Sequence, residues 1–271
     1  MRDVLRVSMV QLKPCETISE STDPSVKLVE EAAKSGVDVI CLPESWVLTN
    51  PYLHVERLCE HSEEILAKMM EIAREYGTYI IPGALYEKEG DGYYVTSPVV
   101  GRRGEILGRQ SKVHLFEEEK RLFQPGRDYR VFSLGEYRVG IMICYDMAFP
   151  EVARILTLKG AEVIFNPSRI KRGGVEPWHI YLKARCLENR VPIVGVNIAH
   201  PPTHPGKSLV LQAFIKRETR VVYPKVLALS GEIQGVTSAQ IDVKSVEEVR
   251  RERLKDRMPK TYSPILSEFI P

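Results

Sequence analysis

Val139-Gly140-Ile141-Met142-Ile143-Cys144-Tyr145-Asp146-Met147-Ala148-Phe149-Pro150-Glu151 runs from an apolar strand through a short turn into a helix start. Val139 to Ile143 has strand character, and Pro150 suits the first position of a helix reaching about Lys159. Cys144 falls between them. Outward from this unit the same arrangement recurs: Glu44 follows the apolar run Val37 to Leu42, and Lys112 follows Ile106 to Ser111. A thiol, a carboxylate and an ammonium presented this way point to a nucleophile, a base and an oxyanion clamp.

The chemistry needs all three. A free cysteine with a pKa near ~8.5 is only a few per cent thiolate at neutral pH, so attack on an amide or nitrile carbon requires a base, for which Glu44 is the candidate. The charge that then develops on oxygen requires preorganised donors, and Lys112 with the backbone amide of Tyr145 can supply them. Protonated Glu44 can return its proton to the leaving amine and then activate water. Singly the residues say less: a cysteine closing a strand is commonly inert core, and a lysine at a strand end commonly sits in water.

Strands and helices alternate along the chain. Leu5 to Leu12 reads as a strand, Pro24 to Ser35 as an amphipathic helix with apolar Val26, Val29 and Ala33, and Val37 to Leu42 as a strand. A helix from about Glu60 to Tyr76 stops at Gly77, before a strand through Pro82. Tyr93 to Val100 and Ile106 to Ser111 flank a turn at Gly101 to Gly104 and read as a hairpin. Val163 to Asn166 is a strand and Pro177 to Asn189 a helix. Later strands are expected at Ile193 to Asn197, Leu209 to Ile215, Val226 to Leu229 and Val236 to Ile241. Interspersed strands and helices with hairpin signals predict α/β layers and mixed sheets.

With 271 residues and no low-complexity linker or internal repeat, the chain is expected to form a single domain over 1–271. A net charge of +2 provides no broad field for nucleic acid or a membrane surface. The five cysteines, at positions 15, 41, 59, 144 and 186, form no close pair, and no apolar signal core or bilayer-length run is visible. A cytoplasmic protein with free thiols is expected. Cys41 and Cys186 read as packing residues.

The words around the three reactive residues resemble the carbon–nitrogen hydrolase, or nitrilase-like, superfamily. They are Leu42-Pro43-Glu44, Lys112-Val113-His114-Leu115-Phe116, and Ile143-Cys144-Tyr145-Asp146 with Phe149-Pro150-Glu151. Asn166-Pro167-Ser168, Trp178, Ala184-Arg185, Glu188-Asn189 and Gly206-Lys207-Ser208 extend the match, which runs from about Val4 to Asp242. The resemblance implies a four-layer αββα sandwich with two mixed sheets. It implies Glu44 as general base and acid, Lys112 as stabiliser of the tetrahedral intermediate, and Cys144 as the residue acylated to a thioester. It also implies a second glutamate after the lysine, best matched by Glu119 among the consecutive Glu117, Glu118 and Glu119. Pairing of subunits through helices into a homodimer or higher homo-oligomer is a further implication. The segment 243–271, with Arg250, Arg251, Arg253, Lys255 and Arg257, reads either as a solvated helix and surface tail or as an extension bridging subunits, since Pro259 and Pro264 end the helix.

The expected activity is hydrolysis of a small carboxamide, favoured because Tyr145-Asp146 follows the cysteine where the nitrile-cleaving branch has Trp-Glu. A nitrilase, a carbamoyl amide hydrolase and a non-enzymatic oligomeric binding protein stay open. The partner is a small-molecule amide or nitrile, and no metal or organic cofactor is implied, since thiol and carboxylate supply the acyl and proton chemistry. Trp46, Tyr52, Phe149, Ser168 and Trp178 are candidate pocket residues, with ordinary packing as their alternative. His114, two residues past Lys112, is expected to share its face and support the site. His179 is a second candidate for pairing with the thiol. Gly206-Lys207-Ser208 lacks the glycine and the N–H groups of a phosphate loop, since Pro201, Pro202 and Pro205 precede it. His200 and His204 cannot share a helix face across those prolines. Arg169, Lys171 and Arg172 read as a solvated basic loop, with an anion site as the alternative.

Overall fold

A computed structural model describes residues 4–266 apart from 217 and 220. In chain order the first half contains β1 (Val4–Gln11), α1 (Ile18–Lys34), β2 (Val39–Cys41), α2 (Val55–Tyr76), β3 (Tyr79–Ile81), β4 (Leu85–Glu89), β5 (Gly92–Val100), β6 (Ile106–Ser111) and the short α3 (Glu119–Leu122). The second contains β7 (Val131–Leu134), β8 (Tyr137–Ile141), α4 (Pro150–Leu158), β9 (Val163–Ser168), α5 (Val175–Asn189), β10 (Ile193–Asn197), β11 (Ala199–His200), β12 (His204–Pro205), β13 (Leu209–Lys216), β14 (Val221–Leu229), β15 (Gly235–Asp242) and α6 (Glu247–Lys255).

Two mixed sheets result. The first has the order β15-β1-β2-β3-β5-β4, with β6 on the other edge of β5, and the second the order β14-β13-β10-β9-β8-β7. The sheets meet through β1 and β10, while α1 and α2 cover the first and α4 and α5 the second, giving the αββα layering. β9 and β10 are buried at every position, as parallel strands covered on both faces must be, whereas edge strand β14 is largely exposed. α2 buries Leu58, Ser62, Ile65, Leu66, Met69, Ile72 and Ala73 at helical spacing, which lays one stripe on the first sheet.

Strand direction brings the three reactive residues to one end. β2 and β3 are parallel, β5 is antiparallel to β3, and β6 is antiparallel to β5, so β6 points the same way as β2. Glu44 and Lys112 therefore leave the first sheet at the same edge. In the second sheet β8 and β9 are parallel, and the Glu44 amide donates to Ser168 O at the end of β9 (3.2 Å), which joins the two edges.

α1 and α2 begin five or six residues earlier than the sequence predicts, and α5 two residues earlier. α1 starts at Ile18, where the Glu20 carboxylate accepts the Thr17 amide (3.3 Å), and Pro24 lies inside the helix. A fixed proline φ is compatible with a helix, but at this interior position the ring forfeits one amide bond and crowds the carbonyl of Glu20, so the packing of α1 must offset that cost. α2 starts at Val55 and ends as predicted at Gly77, whose φ of +62° suits glycine. β4 and β7 were not predicted. In the tail, α6 is followed by a 3₁₀ segment, Pro259–Leu266, and residues 267–271 of the predicted extension lie outside the described residues. No helix among the described residues is long and apolar enough to cross a membrane.

Candidate active site

Glu44, Lys112 and Glu119 form a buried ion-pair triad. Lys112 Nζ donates to Glu44 Oε1 at 2.8 Å and to Glu119 Oε1 at 2.8 Å, and the three residues are 2%, 1% and 4% exposed. Lys112 is held by its backbone, its amide donating to Val95 O (2.8 Å) and its carbonyl accepting from Gly126 (2.7 Å). The Glu44 turn is set by Gly83, where φ is +80° and a Cβ would lie 1.8 Å from Pro43 O; no other residue allows this approach. Glu117 and Glu118 face solvent. Glu119 alone turns inward, because Glu117 adopts φ +39° and Glu119 Oε2 accepts the Phe116 amide at 2.8 Å.

Cys144 opens a 3₁₀ turn, Cys144–Ala148, with φ of +42°. That conformation is rare for a residue with a Cβ and costs about 1–3 kcal/mol, so neighbours must enforce it. Asn166 Nδ2 donates to Met142 O (2.8 Å) and Cys144 O (3.4 Å). Arg185, on α5, donates to Met147 O (2.9 Å) and Ala148 O (3.0 Å). Tyr145, second in the turn, has an amide without an intrahelical partner, as an oxyanion donor requires.

The electrostatics fit a neutral thiol beside a fixed ammonium. Burial pushes the Cys144 thiol well up and the Glu44 charge adds to this, while Lys112 and the Arg169 backbone N–H, which bonds the sulfur, oppose it. Burial alone would lower Lys112, but Glu44, Cys144 and Glu119 together hold it well above the ordinary lysine range. Glu119 is raised by burial first and by the Glu44 charge second, with Lys112 pulling the other way.

The candidate pocket residues separate into two groups. Tyr52 is half-buried, its phenol raised by burial and by the charges of Glu119 and Glu44, so it sits in the field of the triad. Tyr145 packs edge-on against Phe116 (5.0 Å) and Phe149 (5.3 Å), and Phe149 stacks on His114 (3.6 Å); these rings flank the cysteine turn. Trp46, Ser168 and Trp178 fit the packing alternative. All three are fully buried with polar atoms spent inside: Trp46 Nε1 on Pro82 O (3.0 Å), Trp178 Nε1 on Asn166 Oδ1 (2.8 Å), and Ser168 Oγ on Asn166 Oδ1 (2.8 Å).

Arg169 is likewise not solvated. Its guanidinium donates to Ser45 O (2.5 Å), Leu48 O (3.2 Å) and Thr49 O (2.6 Å), gripping the segment that leads from Glu44 toward Tyr52. Arg172 donates to Pro202 O and Glu232 Oε2, both at 2.8 Å. His179 bonds Lys207 O (2.8 Å) and is no partner of the thiol. Sequence reasoning missed Asn166, Arg185 and Arg169 as supports; the first two stand in the family-like words, but their targets are backbone carbonyls remote in sequence.

The family model described as "Carbon-nitrogen hydrolase" matches residues 6–251. The chain belongs to the carbon–nitrogen hydrolase family. Among curated relatives of this carbon–nitrogen hydrolase, a protein named nitrilase from Pyrococcus abyssi is 38% identical over 196 residues, covering 69% of this chain and 72% of the relative. Omega-amidase NIT2-B of Xenopus laevis is 30% identical over 265 residues, covering 91% and 92%. Solved structures share the fold: the carbon–nitrogen hydrolase from Helicobacter pylori has a TM-score of 0.86 at 24% identity, covering 98% of this chain and 99% of that one. A variant amidase from Nesterenkonia sp. AN1 has a TM-score of 0.81 at 22% identity, covering 96% of each chain. That structure shows covalent addition of the acetamide moiety of fluoroacetamide at the active site cysteine.

Proposed function

We propose that this protein is a thiol hydrolase that cleaves the non-peptide C–N bond of a small, neutral, linear carboxamide through a Cys144 thioester. The observation that carries the reading is the Lys112 ammonium fixed at 2.8 Å from both Glu44 and Glu119, in the electrostatic field of a cysteine held at φ +42°. The Nesterenkonia amidase supports it, since its cysteine takes up an acetamide moiety.

The Glu44 carboxylate takes the thiol proton as Cys144 Sγ bonds to the carbonyl carbon. The carbonyl π electrons move to oxygen, where Lys112 Nζ and the Tyr145 amide stabilise the charge. The intermediate collapses, the C–N bond breaks, and Glu44 gives its proton to the leaving nitrogen, which departs as ammonia or amine. Water then loses a proton to Glu44 as its oxygen attacks the thioester. The second collapse breaks the C–S bond and releases the acid, and Glu44 reprotonates the sulfur. Glu119 keeps Lys112 in place throughout.

Neutral substrates are favoured because Met147 and Ala148 follow Asp146 and because Arg169 and Arg172 are engaged with protein acceptors. Carbamoyl amides are the alternative within this reaction. The name of the Pyrococcus relative favours a second reading, in which the same residues convert a nitrile to its acid. We assign the chain, further, as a cytoplasmic homo-oligomer of single-domain subunits, acting on small molecules and not on nucleic acid or membranes.

The test incubates the wild type and Cys144→Ser with matched acetamide and acetonitrile, propionamide and propionitrile, and a carbamoyl amino acid. Ammonia and acid are quantified and adducts sought by intact mass. Amide turnover with a Cys144 adduct, absent in the serine variant, is expected. Faster acid release from nitriles would favour the second reading, and neither turnover nor an adduct with any compound would refute catalysis and leave a binding role.

A further inference from the structure

Asp146 takes part in no step above, yet its carboxylate is fully buried and gathers donors from three segments. Oδ1 accepts the His114 amide at 2.9 Å and Oδ2 accepts the Ile143 amide at 3.0 Å. His114 Nδ1 lies 2.9 Å from Oδ1; a carboxylate only accepts, so Nδ1 carries the proton. The Tyr129 hydroxyl donates to the same oxygen at 3.3 Å. The Asp146 amide closes the turn onto Ile143 O at 2.9 Å, so backbone and side chain of one residue grip both polar groups of the residue preceding Cys144.

The placement of these ties matters because β6 and β8 lie in different sheets, and no ladder sets the register of one against the other. His114 stands two residues after Lys112, and Ile143 immediately precedes Cys144. One carboxylate thus spans the chain segment carrying the ammonium and the chain segment carrying the sulfur. We propose that Asp146 is a positioning residue that sets the separation of Lys112 and Cys144, with the His114 ring and the Tyr129 hydroxyl holding its carboxylate in place. The inference rests on the thioester mechanism proposed above.

Asp146→Asn tests it with almost no change of shape. Whichever way the amide turns, its NH₂ faces either the Ile143 or the His114 N–H, and a donor set against a donor breaks one tie. A displacement of about 1 Å in a reacting pair costs on the order of 10²-fold in rate. The expected result is a kcat lower by about 10²-fold with KM within about threefold, because the oxyanion contact is made only once sulfur has added. Alkylation of Cys144 by iodoacetamide needs the thiolate but forms no oxyanion for Lys112 to stabilise, and should fall by less than about fivefold. Tyr129→Phe removes one donor while keeping the ring, and should lower kcat about 2- to 10-fold at constant KM; it stands as the second variant should Asp146→Asn not fold. A purely structural role would lower the melting temperature, kcat and alkylation together, and that pattern would overturn the proposal. So would wild-type kcat in the folded Asp146→Asn or Tyr129→Phe protein. An inert wild type on every amide and nitrile would instead refute the mechanism, and this inference with it.

Discussion

Replacing Lys112 by alanine removes the only ammonium paired with Glu44 and Glu119 among the described residues, at 2.8 Å and 2.7–2.8 Å, from a site almost closed to water. Loss of one partner from a buried ion pair costs about 3–5 kcal/mol, because the remaining charges stay desolvated. The cost should depend on pH with a definite sign. Glu119 is already raised by burial and by Glu44, and Lys112 is what opposes this, so its removal raises Glu119 further. A carboxyl whose folded pKa exceeds its unfolded value contributes stability that is complete below the unfolded pKa and is lost as pH rises through the folded pKa. The variant should therefore lose stability relative to wild type as pH rises above the wild-type Glu119 pKa and through the higher one of the variant, with a slope of at most about 1.4 kcal/mol per pH unit for one proton. Urea unfolding of both proteins at pH 5, 6, 7 and 8 measures this, and kcat/KM should fall on the order of 10²-fold or more from loss of the oxyanion donor. A parallel pH dependence in the two proteins, or activity within threefold of wild type, would refute the reasoning.

Glu44→Gln should accumulate acyl-enzyme, visible by mass as an adduct that hydrolyses slowly, since the base for water is gone. The same variant should titrate its Cys144 thiol at lower pH than wild type, because the Glu44 charge raises that thiol and Lys112 remains to lower it; an upward shift in the pH dependence of alkylation would contradict the assignment. Among single glutamine variants at 117, 118 and 119, only Glu119→Gln should reduce kcat by about tenfold or more, as its partners alone lie inside the site. Bulky maleimides should label half-buried Cys15 before Cys144, whereas small haloacetamides reach Cys144; peptide mapping after brief exposure distinguishes the two.

Much of the site can be read in the sequence because strand ends are local features. An apolar run of strand length, followed by a polar residue, puts that residue at a sheet edge whichever fold is built. The hairpin from β5 to β6 was likewise visible in the turn Gly101 to Gly104, with Val100 facing Ile106. β4 and β7 were not, since Leu85–Glu89 is short and half charged and depends on pairing with β5 to become a strand.

Other features depended on contacts across long stretches of chain. A cysteine, a lysine and a glutamate after three separate strands are three unrelated residues until the direction of β6 and the Glu44–Ser168 bond bring the two sheet edges together. Which of three adjacent glutamates turns inward was decided by a positive φ at Glu117 and the Phe116 amide. Arg169, a basic residue in a loop, looked solvated because its acceptors are backbone carbonyls that any sequence has. Asp146 reads as one polar residue after a cysteine, and becomes a tie between segments only where His114 and Ile143 point two amides at it. Side-chain type and strand periodicity are written in consecutive residues, so the chemical groups that stand at strand ends follow from the order of amino acids. Charge pairing, strain at Cys144 and burial of ionic groups depend on distances between segments far apart in the chain, and only the packed tertiary structure sets those distances.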